Sequence, residues 1–442
     1  MNIQLNEHFG FKKLIKFTIP SVVMMIVTSV YGVVDGIFVS NCVGSYAFAA
    51  INLIMPVIML LAAIGFMIGT GGSALVSKTM GEGDYKKAND YFSMLVYFSL
   101  IFSFVISILG IVFIRPISVM LGAEGEILDA CIIYGIILFA TNVFFVLQNV
   151  FQSFLIAAEK PSMGLGISIA AGVTNIVGDF LLVYVFKMGI VGAAVATSFS
   201  QLIGGLIPLL YFMFNKENKL KLTKTKFKAS VIVKSCANGS SEMLTNISMS
   251  LVNILYNFQL MKIAGADGVV AYGIIMYIAF VFVSAFIGYS IGSAPVISYH
   301  FGAENTEELK GLLKKSVIII FTSSLFMTAL SELSAKYLAG IFVGYDETLT
   351  QMTMNAIRIY SLSFLFSGLG IFGSAFFTAL NNGFVSALIS FARTLLFQLV
   401  MILTLPIIWG INGVWFSVVF AEILSVIVTV VLILKYKKVY NY

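Results

Sequence analysis

The sequence predicts an all-α polytopic membrane protein: twelve transmembrane helices in two six-helix lobes related by a pseudo-two-fold along the membrane normal. Three observations predict it. Of 442 residues, 60% are hydrophobic and only 10% charged, with a mean hydropathy of +1.02, whereas a soluble domain carries about 25% charged residues. Apolar stretches of bilayer-crossing length, roughly 20 residues, recur along the whole chain without the period-two alternation of a β-barrel. Finally, the chain matches itself at an offset of 221 residues.

Breaking the chain at polar or turn-rich stretches gives spans near 14–40, 47–76, 88–114, 127–157, 163–185 and 191–214. A second set falls near 232–262, 268–298, 311–334, 350–378, 384–405 and 412–435. The first run follows Lys12, Lys13 and Lys16 and continues to about residue 40. That is too long for a signal-peptide core, so it reads as a span and not as a leader. With the N-terminus inside, twenty lysines fall in inner loops and tails, against Arg115, Lys187, Lys262 and Lys336 in outer segments. This asymmetry places both termini in the cytoplasm of a cell-membrane protein. It also accounts for the net charge of +6 without nucleic acid. The basic stretch KENKLKLTKTKFK at 216–228 lies midway. It divides the chain into an N-terminal lobe, 1–214, a cytoplasmic linker, 215–231, and a C-terminal lobe, 232–442.

The repeat supports that division. The offset lays GTGGSALVSKTMGEGD (69–84) over SIGSAPVISYHFGAEN (290–305), pairing Gly71 with Gly292 and Gly81 with Gly302. It also pairs Gly44 with Gly265, Phe151 with Phe372, Gly189 with Gly410 and Gly192 with Gly413. Six spans per half is an even number, so both halves enter from the same side. Two such bundles, with substrate handled between them, make the architecture of a secondary transporter.

Other classes find little support. Cys42, Cys131 and Cys236 are widely spaced within or beside apolar runs and read as packing residues. They form no metal or disulfide pattern. His8 and His300 are far apart in sequence. Neither a nucleophile triad nor a phosphate loop is visible, so the chain is not expected to be an enzyme or to hold a cofactor.

Ionisable residues inside spans are expensive and point to function. They are Asp35, Asp179, Glu242, Arg393 and Glu422, with Glu332 and Arg358 nearer span ends. Counting along the helices at 1.5 Å per residue puts Asp35, Asp179 and Thr197 at a common depth, ~7–9 Å below the outer boundary. Asn175 lies one turn from Asp179 on the same face. Two carboxylates, an amide and a hydroxyl suit a hard cation such as Na⁺. They equally suit a shared proton, because neighbouring carboxylates raise one another's pKa. The second half has Tyr256, Leu396 and Val400 at the positions equivalent to Asp35, Asn175 and Asp179, so the fold repeats and the ion site does not. Glu242 either neutralises a cationic substrate or pairs with Arg393.

The segment AAEKPSMGLGISIAAGVTNIVGDFLLVYVFKMGIVGAAVATSFSQ at 157–201 resembles the multidrug and toxic compound extrusion (MATE) transporters. The shared pattern is Lys-Pro, then Asn-x-x-x-Asp, then Gly-x-x-Gly-Ala-Ala-x-Ala-Thr. Second-lobe counterparts are SFART (390–394) and WGINGVWFSVVFAE (409–422). The resemblance implies that Asp35, Asn175, Asp179 and Thr197 form a first-lobe site where H⁺ or Na⁺ binding is coupled to drug release. It also implies that Gln148, Asn149 and Gln152, in QNVFQ, are substrate-cavity candidates beside Glu242, though ordinary interhelical hydrogen bonding is an equal alternative. Two departures stand out. The tenth span lacks the acid some members carry, and Glu159 stands where glycine is common before Lys-Pro.

The implied activity is efflux of amphipathic, often cationic, organic compounds by a monomer in the bilayer, in exchange for H⁺ or Na⁺. A lipid-linked oligosaccharide flippase of the same superfamily is the first alternative, and an intramembrane enzyme the second.

Overall fold

The computed structural model describes residues 3–43, 45–215 and 219–442; the side chains of residues 33, 35–41, 45 and 48 lie outside the described part. The described residues are almost all helical, apart from the segment ahead of the first helix, the connecting stretch at 219–228 and short turns. Helices α1 (Phe11–Cys42), α2 (Ser45–Gly81), α3 (Tyr85–Met120) and α4 (Gly125–Ala157) are followed by α5 (Pro161–Gly178), which runs on as a π-helix over Asp179–Val185. Then come α6 (Gly189–Phe214), α7 (Ala229–Gly302), α8 (Thr306–Val343), α9 (Glu347–Ser361) and α10 (Phe364–Ala379). Last are α11 (Gly383–Phe391), a second π-helix at Ala392–Leu396, and α12 (Phe397–Tyr440). Among the described residues, nine helices are long and apolar enough to cross a membrane, or ten if α9 and α10, bent by 46°, are one span.

Two of these helices reverse direction internally. In α7, Gly265 has φ 64° and ψ −150°, a combination essentially confined to glycine. Tyr256 and Tyr272 would stand ~24 Å apart on a straight helix, yet their rings stack at 5.2 Å. Tyr272 Oη also donates to Asn253 Oδ1 at 2.7 Å. The chain therefore folds back at Gly265. Gly410 in α12, at φ 55°, does the same, bringing Ser417 Oγ to the Met401 carbonyl at 3.1 Å.

Local chemistry explains where the other helices begin. Asp84, Asn305, Asp346 and Asn382 each accept the backbone N–H three residues on, satisfying donors a helix start leaves orphaned. Pro161 opens α5, where its missing N–H costs nothing. Several of these features recur at the repeat offset. The caps Asp84 and Asn305 are 221 residues apart, as are the left-handed Gly83 and Glu304 and the left-handed Gly189 and Gly410. Helices exceed their expected bounds because they continue past the apolar stretch. For example, α2 reaches Gly81 and α3 runs from Tyr85 to Met120.

Packing is uneven along the molecule. At the end that carries both termini, one core joins the two halves, with Phe9, Phe92 and Phe212 alongside Phe376, Phe377 and Tyr442. At the opposite end the halves keep separate cores, one around Ile54, Tyr134 and Phe139 and one around Tyr256, Tyr272 and Trp415. Glycines make the shared end tight. A Cβ on Gly81 would lie 2.0 Å from the Tyr299 carbonyl oxygen, and one on Gly302 would lie 2.0 Å from that of Lys78. Gly71 and Gly239 meet nearby, backbone to backbone. Between the halves, residues 219–223 lie extended on α3. Asn89 Nδ2 donates to the Lys219 carbonyl and Asn89 Oδ1 accepts from the Lys221 N–H.

Candidate functional site

The first-half cluster is built where α5 becomes a π-helix. Asp179 is the first π residue and is fully buried, and Asn175, one turn earlier, is 2% exposed. Asn175 Nδ2 donates to Thr197 Oγ1 on α6 at 3.5 Å. Asn175 Oδ1 is buried with no hydrogen-bond partner among the described residues. An orphaned acceptor beside a buried carboxylate is what a cation or a proton-bearing group would satisfy. Small residues bring the helices this close. A Cβ on Gly178 would lie 2.8 Å from Ala196 Cβ, so α5 and α6 touch at the residues next to Asp179 and Thr197. Helix α1 packs along both α5 and its π extension, and a Cβ on Gly172 would meet the Tyr31 ring at 3.2 Å. Asp35 belongs to α1, but its side chain lies outside the described residues.

The other sequence-derived candidates separate by environment. Gln148, Asn149 and Gln152 on α4 are 7%, 5% and 5% exposed. Gln148 fills the space above Gly204 on α6, and Asn149 packs on Gly65 and Gly69 of α2. Asn149 Nδ2 also donates to the Phe145 carbonyl of its own helix. These contacts are helix packing. Glu242 on α7 is only half-buried, and its backbone carbonyl accepts from Asn246 Nδ2.

Of the two roles expected for Glu242, neutralising a cationic substrate or pairing with Arg393, the structure does not show the pairing: Arg393 has another partner. Arg393 Nε donates to both Glu422 oxygens, at 3.1 and 3.2 Å, joining the second π-helix to α12. Glu242 has no ion pair among the described residues. Arg393 passes the bare Gly370 of α10, where a Cβ would be 2.9 Å from its Cδ.

Two second-half networks escaped sequence reasoning. Ser374 Oγ lies 2.9 Å from Ser386 Oγ and 2.8 Å from Ser390 Oγ, and Thr378 Oγ1 lies 2.7 Å from Ser386 Oγ. Their signal is the i, i+4 spacing of Ser374 with Thr378 and of Ser386, Ser390 and Thr394. Tyr256, the counterpart of Asp35, donates to Gln398 Oε1 at 2.8 Å, so a neutral hydrogen bond stands where the first half has an acid.

A many-helix membrane fold with polar groups buried inside each of its halves defines the class as a polytopic membrane transporter. The family model described as MatE matches residues 20–181 and 242–404. The chain belongs to the MATE family, whose members are transporters and not enzymes. The multidrug export protein MepA of Staphylococcus aureus is 24% identical over 429 residues, covering 96% of this chain and 93% of the relative. MepA of Staphylococcus saprophyticus is 24% identical over 366 residues, 81% of each chain. Among solved structures, an outward-facing MATE family transporter of the MOP superfamily superposes with a TM-score of 0.93 at 24% identity. It covers 99% of this chain and 98% of its own. A MOP superfamily transporter from Pyrococcus furiosus, described as having a binding pocket of reverse polarity, superposes at 0.91, with the same identity and coverage.

Proposed function

We propose that the protein is a multidrug efflux antiporter that exchanges H⁺ or Na⁺ for amphipathic, often cationic, organic compounds by alternating access. The observation that carries this reading is the buried Asp179 beside the Asn175–Thr197 hydrogen bond, with Asn175 Oδ1 meeting no donor among the described residues. Burying a carboxylate in a low-dielectric interior is costly, and a bound cation or proton lowers that cost. Site occupancy thereby biases how α5 packs on α1 and α6. Asp35 on α1 supplies the second carboxylate in this reading. The relatives named as multidrug export proteins support the substrate class, and the part-exposed Glu242 offers the negative charge a cationic compound needs. Gln148, Asn149 and Gln152, buried on α4, are the first-lobe candidates for substrate contact once the helices repack.

The architecture in this reading is twelve spans in two lobes, 1–214 and 232–442, joined by a cytoplasmic linker at 215–231. The reversals at Gly265 and Gly410 add two spans to the nine helices and one bent pair of apolar length. The exchanged contacts Gly81–Tyr299 and Gly302–Lys78 support a two-fold axis, because the 221-residue offset converts one into the other. The lysine-rich end carrying both termini is cytoplasmic. With the halves joined there and separate at the far end, the state described is open to the outside. The protein works as a monomer in the cell membrane.

Drug-coupled ion flux in proteoliposomes, under separate H⁺ and Na⁺ gradients, tests the assignment. Wild type should couple efflux to at least one gradient, and Asp179→Asn should abolish that coupling while leaving the folded protein intact. Undiminished coupling in the variant under both gradients would overturn the site.

A further inference from the structure

We infer that residues 3–10, ahead of α1, form a latch across the cytoplasmic faces of both lobes, and that Glu159 is the positioning residue that holds it in the outward-open state. Glu159 sits in the turn between α4 and α5 with φ 63°, in the left-handed region that suits glycine and strains other residues. Here the side chain makes contacts that a glycine at this position could not. Its carboxylate, 11% exposed, accepts the Leu5 N–H at 2.8 Å and a Lys219 Nζ hydrogen at 2.9 Å. First lobe, linker and arm are tied at one oxygen.

The arm then crosses to the second lobe. His8 Nδ1 lies 2.6 Å from Glu308 Oε2, and Glu308 Oε1 accepts the Phe9 N–H at 2.9 Å. Glu308 is on the first turn of α8, and Lys315 on the same helix donates to the Phe9 carbonyl. Leu5 and Phe9 are 1% and 0% exposed, sunk in the core the lobes share, and the Phe9 ring meets His300 edge-on at the end of α7. A segment anchored to both lobes cannot stay fully bound while the lobes part on this side. Opening toward the cytoplasm must therefore break either the Glu159 or the Glu308 attachment.

This inference uses the alternating-access reading above, but its main readout needs neither drug nor ion gradient, so it can fail separately. In a variant with Cys42, Cys131 and Cys236 replaced, spin labels at Lys86→Cys and Glu307→Cys report the separation of the two lobes' cytoplasmic ends. Glu159→Gly removes the carboxylate and relaxes the turn, so a purely structural role predicts an unchanged or more stable protein with unchanged distances. The latch predicts a new, longer-distance population of at least several-fold greater weight. Glu159→Gln, which keeps an acceptor for the Leu5 N–H, should retain most of the short-distance population. A second arm introduces His8→Cys with Glu308→Cys. Oxidation should cut transport at least tenfold, and reductant should restore it. Unchanged distances in Glu159→Gly, or full transport with the cross-link complete, would overturn the latch.

Discussion

At Thr197 the hydroxyl is the acceptor that fixes the Asn175 amide, so on the cation-site reading proposed above its removal should loosen the ligands without removing the charge. A neutral hydrogen bond contributes about 0.5–1.5 kcal/mol. Thr197→Val is therefore expected to raise the cation concentration needed for half-maximal efflux by roughly 2–10-fold, read from transport rates at graded pH and Na⁺. Arg393 makes the opposite case. Removing it strands Glu422, 5% exposed, and breaking a buried pair from one side costs about 3–5 kcal/mol. Arg393→Met should lower the unfolding midpoint in detergent sharply, and the double change Arg393→Met with Glu422→Leu should recover most of the loss. The sequence made Asp179 and Asn175 legible through their four-residue spacing and the cost of an acid in an apolar run. It could not choose Glu422 as the partner of Arg393, because the two are 29 residues apart and on different helices. Nor could it show that Glu159 and Glu308 bind the same short arm. His8 lies in that arm, and His300, distant in sequence, borders it at the Phe9 ring.

Among the elements, the π-helices were the least visible from sequence. Widening a helix by one residue per turn leaves the apolar pattern almost intact, so Asp179–Val185 and Ala392–Leu396 read as ordinary helix. Their positions nevertheless coincide with the buried Asp179 and with Arg393 of the Glu422 ion pair, in keeping with the concentration of such segments at functional sites. The reversals were legible as breaks, since Gly265 and Gly410 interrupt long apolar runs, although their abruptness was not. At Gly265 the backbone conformation costs any other residue about 1–3 kcal/mol. Gly265→Ala should lower thermal stability in detergent by that order and reduce the yield of folded protein. Gly273→Ala, on the same helix with nothing within 4 Å of the added carbon, should leave both unchanged. The bend between α9 and α10 was missed because Leu362 and Ser363 carry no proline or glycine to announce it.

For the whole molecule, the repeat was legible because glycines, which have no side chain to vary, mark the same close approaches in both halves. The structure adds the reason for one pair: Gly81 and Gly302 each face a carbonyl oxygen of the opposite half. Gly302→Ala would press a methyl group into the Lys78 carbonyl, at 2.0 Å. Spin-label distances across the cytoplasmic ends should therefore lengthen, with efflux reduced. The exchanged contacts have one more consequence. Because Gly81–Tyr299 and Gly302–Lys78 are one contact seen twice, a rotation about their common axis cannot stretch one and spare the other. Packed glycine seams of this kind give way over a fraction of an ångström, as close-packed interiors resist gradual deformation. The barrier on this side should thus snap open or shut as a unit, leaving no half-parted seam; on the antiport reading proposed above, that would keep the driving ion from leaking past.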